Sequence, residues 1–276
     1  MSALYDQISF LLSEQGLSCF APVPLSACKI FRPYLLERAQ ISPEGTAVMI
    51  AVPYIVRDSV PGNLSEYAKS RDYHLFFAEL FASILPALQK DFPDYRFAGF
   101  TDHSPLDEIH AAARAGLGRI GDHGLLITEP YASFVFLGEI ITDALIPCTP
   151  SGIRFCEKCG LCRRCCPTGC DKTGCLSAVT QKKGELTPKE IALIASNGSV
   201  WGCDLCQKVC PHAKKVYESG SVYTEIPFFK EKRTPFLTRT LIESMSDKEF
   251  SERAFAWRGR QPLLRNLKIL GLDQDT

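Results

Sequence analysis

The 276-residue sequence has no apolar run approaching the roughly 18 residues that a membrane-spanning helix requires, so no membrane partner is expected. Its opening, Met1 to Leu12, lacks the basic flank and following apolar stretch of a secretion signal. There is no low-complexity tract, and no internal repeat beyond two clusters of cysteine. Net charge is missing as well, at zero, and the 46% hydrophobic and 22% charged fractions are those of an ordinary globular chain. These absences lead to the expectation of a cytoplasmic protein with enough apolar material for one large or two modest domains. What is abundant is cysteine. Thirteen in a chain this long without a secretion signal point to metal binding rather than to a disulfide scaffold.

The zero net charge conceals an asymmetry. Residues 1–150 carry 10 Lys and Arg against 17 Asp and Glu, a net of −7, and residues 151–276 carry 21 against 14, a net of +7. Part of the basic excess can offset cluster thiolates; the remainder suits either a solvated face or a polyanion such as RNA.

Apolar periodicity makes the first half mixed α/β. Helices are expected over Ala3–Gln15, stopped by Gly16, over Leu64–Leu88, and over the Ala-rich Pro105–Ala115. Strands are expected at Ala47–Tyr54, Tyr95–Thr101, Gly124–Thr128 and Ser133–Thr142, the last two flanking a turn at Pro130. Pro147, Pro150 and Gly152 punctuate a linker at Ala144–Ile153, and the basic stretch Tyr223–Leu272 has a helical pattern ending in a docking helix, Leu263–Leu272. Three segments are expected: residues 1–147, 148–222 and 223–276.

Cys156-x2-Cys159-x2-Cys162-x3-Cys166-Pro167 has the spacing of a bacterial ferredoxin run, and Cys203-x2-Cys206-x3-Cys210-Pro211 is a shortened second copy. Cysteines three apart on a compact loop aim three thiolates at neighbouring irons of one cube, while the Cys before Pro serves the other cube. One 4Fe–4S cluster is therefore expected on Cys156, Cys159, Cys162 and Cys210. The other takes Cys203, Cys206, Cys166 and one more. For that eighth ligand, Cys165 would need its backbone to turn back, and Cys170 follows its turn closely. Cys175 has the reach and is preferred, with Cys170 in reserve. Zinc sites built from four cysteines use two C-x2-C pairs a dozen or more residues apart, which this pattern is not. Cys19, Cys28 and Cys148 lie outside the pattern and read as small apolar residues.

Further segments carry a resemblance. Tyr67-Ala-Lys-Ser-Arg-Asp-Tyr-His74, Asp102-His-Ser-Pro105, Ala113-Arg-Ala-Gly-Leu-Gly118 with Ile120-Gly121, Leu125-Leu-Ile127, Phe136-Leu-Gly-Glu-Ile-Ile-Thr-Asp143, Gly202-Cys-Asp-Leu-Cys-Gln207, Val209-Cys-Pro211 and Leu264-Arg-Asn-Leu267 together resemble the epoxyqueuosine reductases, covering about residues 45–270. The resemblance implies an α+β architecture: a cobalamin-binding mixed α/β domain, reductive-dehalogenase-like, followed by a double-cluster bacterial-ferredoxin-like domain. It implies cobalamin and two 4Fe–4S clusters as cofactors, a tRNA substrate, an external low-potential electron donor and a monomer. It supports Cys175 as eighth ligand and makes Asp102 the proton donor of a reductive epoxide opening.

An acid at Asp102 suits that chemistry, because the departing oxygen needs a proton; a helix N-cap is the alternative for an Asp-x-Ser-Pro segment. Tyr73, Leu126, Leu137 and Asp204 are candidate cofactor contacts, with core packing an equal explanation for the two leucines. The Gly116–Gly121 series lacks the spacing of a dinucleotide fingerprint and is expected to allow close approach of a flat ligand. The sequence departs from the family at Arg119, where Trp is common, and at Asp122-His123, where Lys-Asn is common. The C-terminal helical-repeat extension of many members is not expected here. These departures leave open a related corrinoid-dependent reductase of a small molecule, or an electron-transfer or corrinoid-reactivating protein.

Overall fold

The computed structural model describes residues 2–57 and 62–273. The chain divides into two compact units that are not consecutive stretches: Met1–Pro53, His74–Lys158 and Ser219–Val222 form the first, and Tyr54–Tyr73, Cys159–Glu218 and Tyr223–Thr276 the second.

The first unit is built on a four-stranded antiparallel sheet. Its strands are β1 (Phe20–Pro24), β2 (Thr46–Pro53), β3 (Phe97–Phe100) and, after a separate hairpin of β4 (Gly118–Ile120) with β5 (Leu126–Thr128), β6 (Val135–Thr142). The order in the sheet is β1-β2-β6-β3, with Thr46 opposite Thr142 and Pro53 opposite Val135. Every residue of β2 is buried, as its unbroken apolar run requires of a central strand. Pro22 and Pro24 lack a ladder donor and fall on the edge strand β1, where that is tolerated. The strands expected on either side of Pro130 do form, but they do not pair with each other: β5 pairs β4 and β6 enters the large sheet.

Helices α1 (Ala3–Glu14), α2 (Pro33–Ala39), α3 (Tyr73–Asp91) and α4 (Glu108–Arg114) accompany the sheet. Leu4, Ile8 and Leu12 bury one face of α1, and Gly16 follows it at φ +74°, a left-handed conformation that glycine adopts without steric cost. The small residues Ala111, Ala112 and Ala113 of α4 share a core with Val23, Leu36, Met49, Leu126 and Ile141. The helix expected over Leu64–Leu88 begins only at Tyr73. Leu64 instead bridges Trp201, and Glu66–Lys69 makes a single 3-10 turn, so packing within the second unit overrides helical periodicity there.

The described residues of the second unit contain helices and isolated bridges but no strand. The helices are α5 (Leu161–Cys165), α6 (Leu176–Thr180), α7 (Pro188–Asn197), α8 (Leu205–Lys208), α9 (Pro211–Ser219), α10 (Pro227–Lys230), α11 (Arg239–Ser244), α12 (Asp247–Ser251) and α13 (Arg260–Ile269). Those among the cysteines are one turn or little more. α7 has a complete capping box between Thr187 and Glu190, which satisfies its first amides. The terminal helix α13 buries Leu263 and Leu267 against Trp201, Phe250 and Phe255. Each such side chain removed from water contributes about 1.5–3 kcal/mol.

Candidate functional site

In the first unit the loop between β3 and α4 gathers the polar side chains. Asp102 adopts φ +57°, uncommon outside glycine, and its side chain is about half exposed. It does not cap α4; Asp107 does, accepting from the His110 amide at 3.1 Å. The helix therefore starts three residues later than the expected Pro105, and Asp102 is left for other uses. Its Oδ2 lies 3.3 Å from His74 Nε2. Its backbone N–H donates to Glu108 Oε1 at 3.0 Å. The loop is pinned further on: Ser104 Oγ donates to Glu139 Oε1 and accepts from the Leu106 amide, Arg32 Nη1 donates to the Ser104 carbonyl at 2.8 Å, and Thr101 Oγ1 donates to the Leu137 carbonyl at 2.8 Å.

Two of these partners, Glu108 and Glu139, were not singled out in the sequence. Burial pushes the Glu139 carboxyl well above its usual range, and the charge of Glu108 pushes it further. Burial, followed by the charge of Asp102, raises Glu108 to about 8. A glutamate inside a strand pattern such as FLGEIIT is the one signal that pointed to Glu139, since a charge on a buried strand needs a reason.

Among the other expected residues, Leu126 is buried in the core with α4, and Leu137 is half-buried beside that core. At Gly118 an added Cβ would collide with the Ile127 carbonyl across the β4–β5 hairpin. Strand pairing thus gives that glycine a nearer reason than the expected flat ligand. Arg119 donates from Nη1 to Glu157 at 2.6 Å, and the Asp122 amide donates to Cys156 Sγ at 3.1 Å. Both departures from the family pattern therefore lie beside the first cysteine of the run.

The second unit holds Tyr73, half-buried at the start of α3, and the remaining cysteines of the pattern. Cys162 and Cys210 are buried and Cys159 is exposed. Burial raises the Cys206 thiol far above its ordinary value, and the neighbouring thiols of Cys170, Cys203, Cys166 and Cys175 raise it further. Cys203, raised to about 11 first by burial, also feels Cys175 and Cys166. Five thiols thus share one neighbourhood, a donor set whose charged forms repel unless a cation compensates them. Cys165 turns its Sγ to the carbonyls of Cys162 and Leu205, and Cys170 turns its Sγ to the carbonyl of Cys162. Among the described residues no three His, Cys, Asp or Glu side chains converge tightly enough for a single metal ion. In a cube each thiolate binds a different iron, so its donors stand further apart than those of a mononuclear site.

Asp204 lies between Cys203 and Cys206 and is 7% exposed. Its Oδ2 accepts the Glu66 amide at 2.8 Å and faces Lys208 Nζ at 3.5 Å; Glu66 in turn accepts from Lys208 at 2.9 Å and from Lys69 at 2.8 Å. Burial raises Asp204 to about 6 against the opposing pull of Lys208. This buried charged network was not foreseen, because its members are separated by more than 130 residues.

The fold of this chain is similar to that of solved epoxyqueuosine reductases. The Streptococcus thermophilus structure matches 98% of this chain and 81% of that one at a TM-score of 0.78 and 22% identity. An epoxyqueuosine reductase with an epoxyqueuosine-modified tRNA-Tyr stem loop matches 97% and 81% at 0.74 and 22%. A Bacillus subtilis structure, described with its aspartate-bearing catalytic loop swung out of the active site, matches at 0.73 and 21%. No family model matches the chain. In sequence it is 30% identical over 220 residues to the epoxyqueuosine reductase of Lactococcus garvieae and 34% over 209 residues to that of Listeria monocytogenes, covering 75% and 72% of this chain. The chain belongs to the epoxyqueuosine reductase family. It spans about 60% and 54% of the length of those two curated relatives.

Proposed function

We propose that the chain is an oxidoreductase that converts epoxyqueuosine to queuosine in tRNA, using cobalamin and two 4Fe–4S clusters fed by an external low-potential electron donor. The observation that carries this reading is the Asp102 loop: an exposed carboxyl held in a left-handed conformation by Glu108 and flanked by His74, in a chain of this family. A strained non-glycine residue persists where the surrounding bonds over-determine it, and such residues concentrate at functional sites. The catalytic loop named for the Bacillus subtilis relative is the counterpart we assign to this loop.

The donor set fits iron–sulfur chemistry. Cys156, Cys159, Cys162 and Cys210 would hold one cluster, and Cys166, Cys175, Cys203 and Cys206 the other. Cobalamin fits the first unit, where Val135, Phe136 and Leu137 are apolar and only half-buried at the start of β6, next to the Asp102 loop. When bound, it would supply a strongly reducing cobalt. The protein's own part is to present the acid. Removing the epoxide oxygen breaks two C–O bonds, forms one C=C bond, consumes two electrons and releases water after two protons have been taken up. Asp102 donates to the departing oxygen, and His74, whose Nε2 lies 3.3 Å from Oδ2, orients its carboxyl.

The test is anaerobic, reconstituted protein incubated with epoxyqueuosine-containing tRNA, with nucleosides analysed by mass spectrometry. Queuosine is expected, and Asp102→Asn should lower its rate by about 100-fold or more. No queuosine at full iron and cobalamin loading would refute the assignment.

A further inference from the structure

Epoxide removal takes two protons, and a single carboxyl such as Asp102 releases one. Behind Asp102, within the same unit, lies a carboxyl pair that the reading above does not use. Glu139 on β6 is 0% exposed; its Oε1 receives the Ser104 hydroxyl, and its Oε2 is buried with no hydrogen-bond partner. Glu108 opens α4 and takes the Asp102 amide on Oε1. Several charged groups among the described residues act on the pair. Asp102 on the loop and Asp107 at the N-cap of α4 are acidic, and Cys28, ahead of α2, is a neighbouring thiol. Arg32 is a cation acting on Glu108, and its Nη1 is bonded to the Ser104 carbonyl. Two neighbouring carboxyls, one of them wholly out of water, do not both ionise at neutral pH.

We propose that Glu139 and Glu108 together store one proton and pass it to Asp102 after Asp102 has given up its own, so that the chain delivers both protons needed for each epoxide removed. The inference rests on the proposed reductase activity. The atoms balance as follows: the epoxide oxygen leaves as water, with one proton from Asp102 and one from the pair. The two electrons come from the external one-electron donor, and bulk water refills the pair. Transfer from Glu108 to the exposed Asp102 carboxylate crosses a bridging water. The raised values of both glutamates agree with a proton held at pH 7.

The experiment uses reconstituted holoprotein and the variants Glu139→Gln, Glu108→Gln and the double variant. Glutamine keeps an acceptor oxygen for Ser104 Oγ and for the Asp102 amide, so the loop stays pinned while the store is lost. Infrared spectroscopy at pH 7 should show the C=O stretch of a buried protonated carboxyl, shifted in D2O, weakening as pH rises through about 8, where Glu108 titrates, and absent from the double variant. Its absence from the wild type overturns the proposal, whatever the activity. In the turnover assay the double variant should form queuosine about 10-fold or more slowly and lose the decline in rate that the wild type shows as pH rises through about 8, where Glu108 ionises. Turnover at the wild-type rate and pH profile would overturn the delivery role. If the double variant does not fold, the wild-type infrared titration still decides whether the proton is stored. If wild type makes no queuosine, the reductase reading fails while the infrared result still stands or falls separately.

Discussion

Asn266→Leu should destabilise the protein more than any surface change, for a reason visible in the C-terminal Leu-Arg-Asn-Leu element. Asn266 is 0% exposed, and its amide donates to the Thr180 carbonyl at 2.8 Å and the Val200 carbonyl at 2.9 Å. Leucine has the same branched outline, with bulkier methyl ends, and no donors. The Val200 carbonyl would lose the amide that donates to it, and the Thr180 carbonyl would keep a weaker one from Arg265 Nη2 at 3.4 Å. A buried acceptor left unpaired costs about 1–3 kcal/mol, and weakening a second adds roughly 1, so the total is about 2–4 kcal/mol. At about 2–4 °C per kcal/mol for a chain of this size, the apparent Tm should fall by about 4–16 °C. The assay is thermal unfolding of holoprotein and variant followed by circular dichroism, without oxygen and at one scan rate. Thr180 Oγ1 also accepts the Gly202 amide next to Cys203, so iron retention should weaken in parallel. A shift below about 2 °C would refute the view that this asparagine stitches the terminal helix to the cysteine-bearing segment.

Two more outcomes test the site and the sheet. Cys175→Ser should lower iron after anaerobic reconstitution by about half while Cys170→Ser leaves it unchanged; the opposite result would move the eighth ligand to Cys170. Gly138→Ala would drive a Cβ into the ring of the fully buried Phe77 and should cost about 1–3 kcal/mol, read as a fall in Tm, whereas an unchanged Tm would mean that α3 can shift away from β6.

Much of the fold was legible because its signals are local. The buried run of β2, the period of α1 and the alanines of α4 each express one element's burial, and each formed within a few residues of its expected bounds. The site was less legible. Asp102 was found by resemblance, and its cap alternative fell because Asp107, four residues before Ala111, is better placed to hold the first amides of α4. Glu108 was missed because a glutamate at a helix start reads as ordinary surface, and Glu139 was missed although its place in an apolar strand pattern was a signal.

The sequence alone determined the cysteine spacing, the family and the positions of the main strands, because ligand spacing and apolar periodicity are written in neighbouring residues. Only the tertiary structure decided that Leu64–Asp72 leaves the helical pattern, that Asp204 is buried against Glu66 and Lys208, and that Asp102 meets His74, Glu108 and, through Ser104, Glu139. Those meetings depend on which distant segments pack together, and a carboxyl's charge state depends on the water that such packing removes.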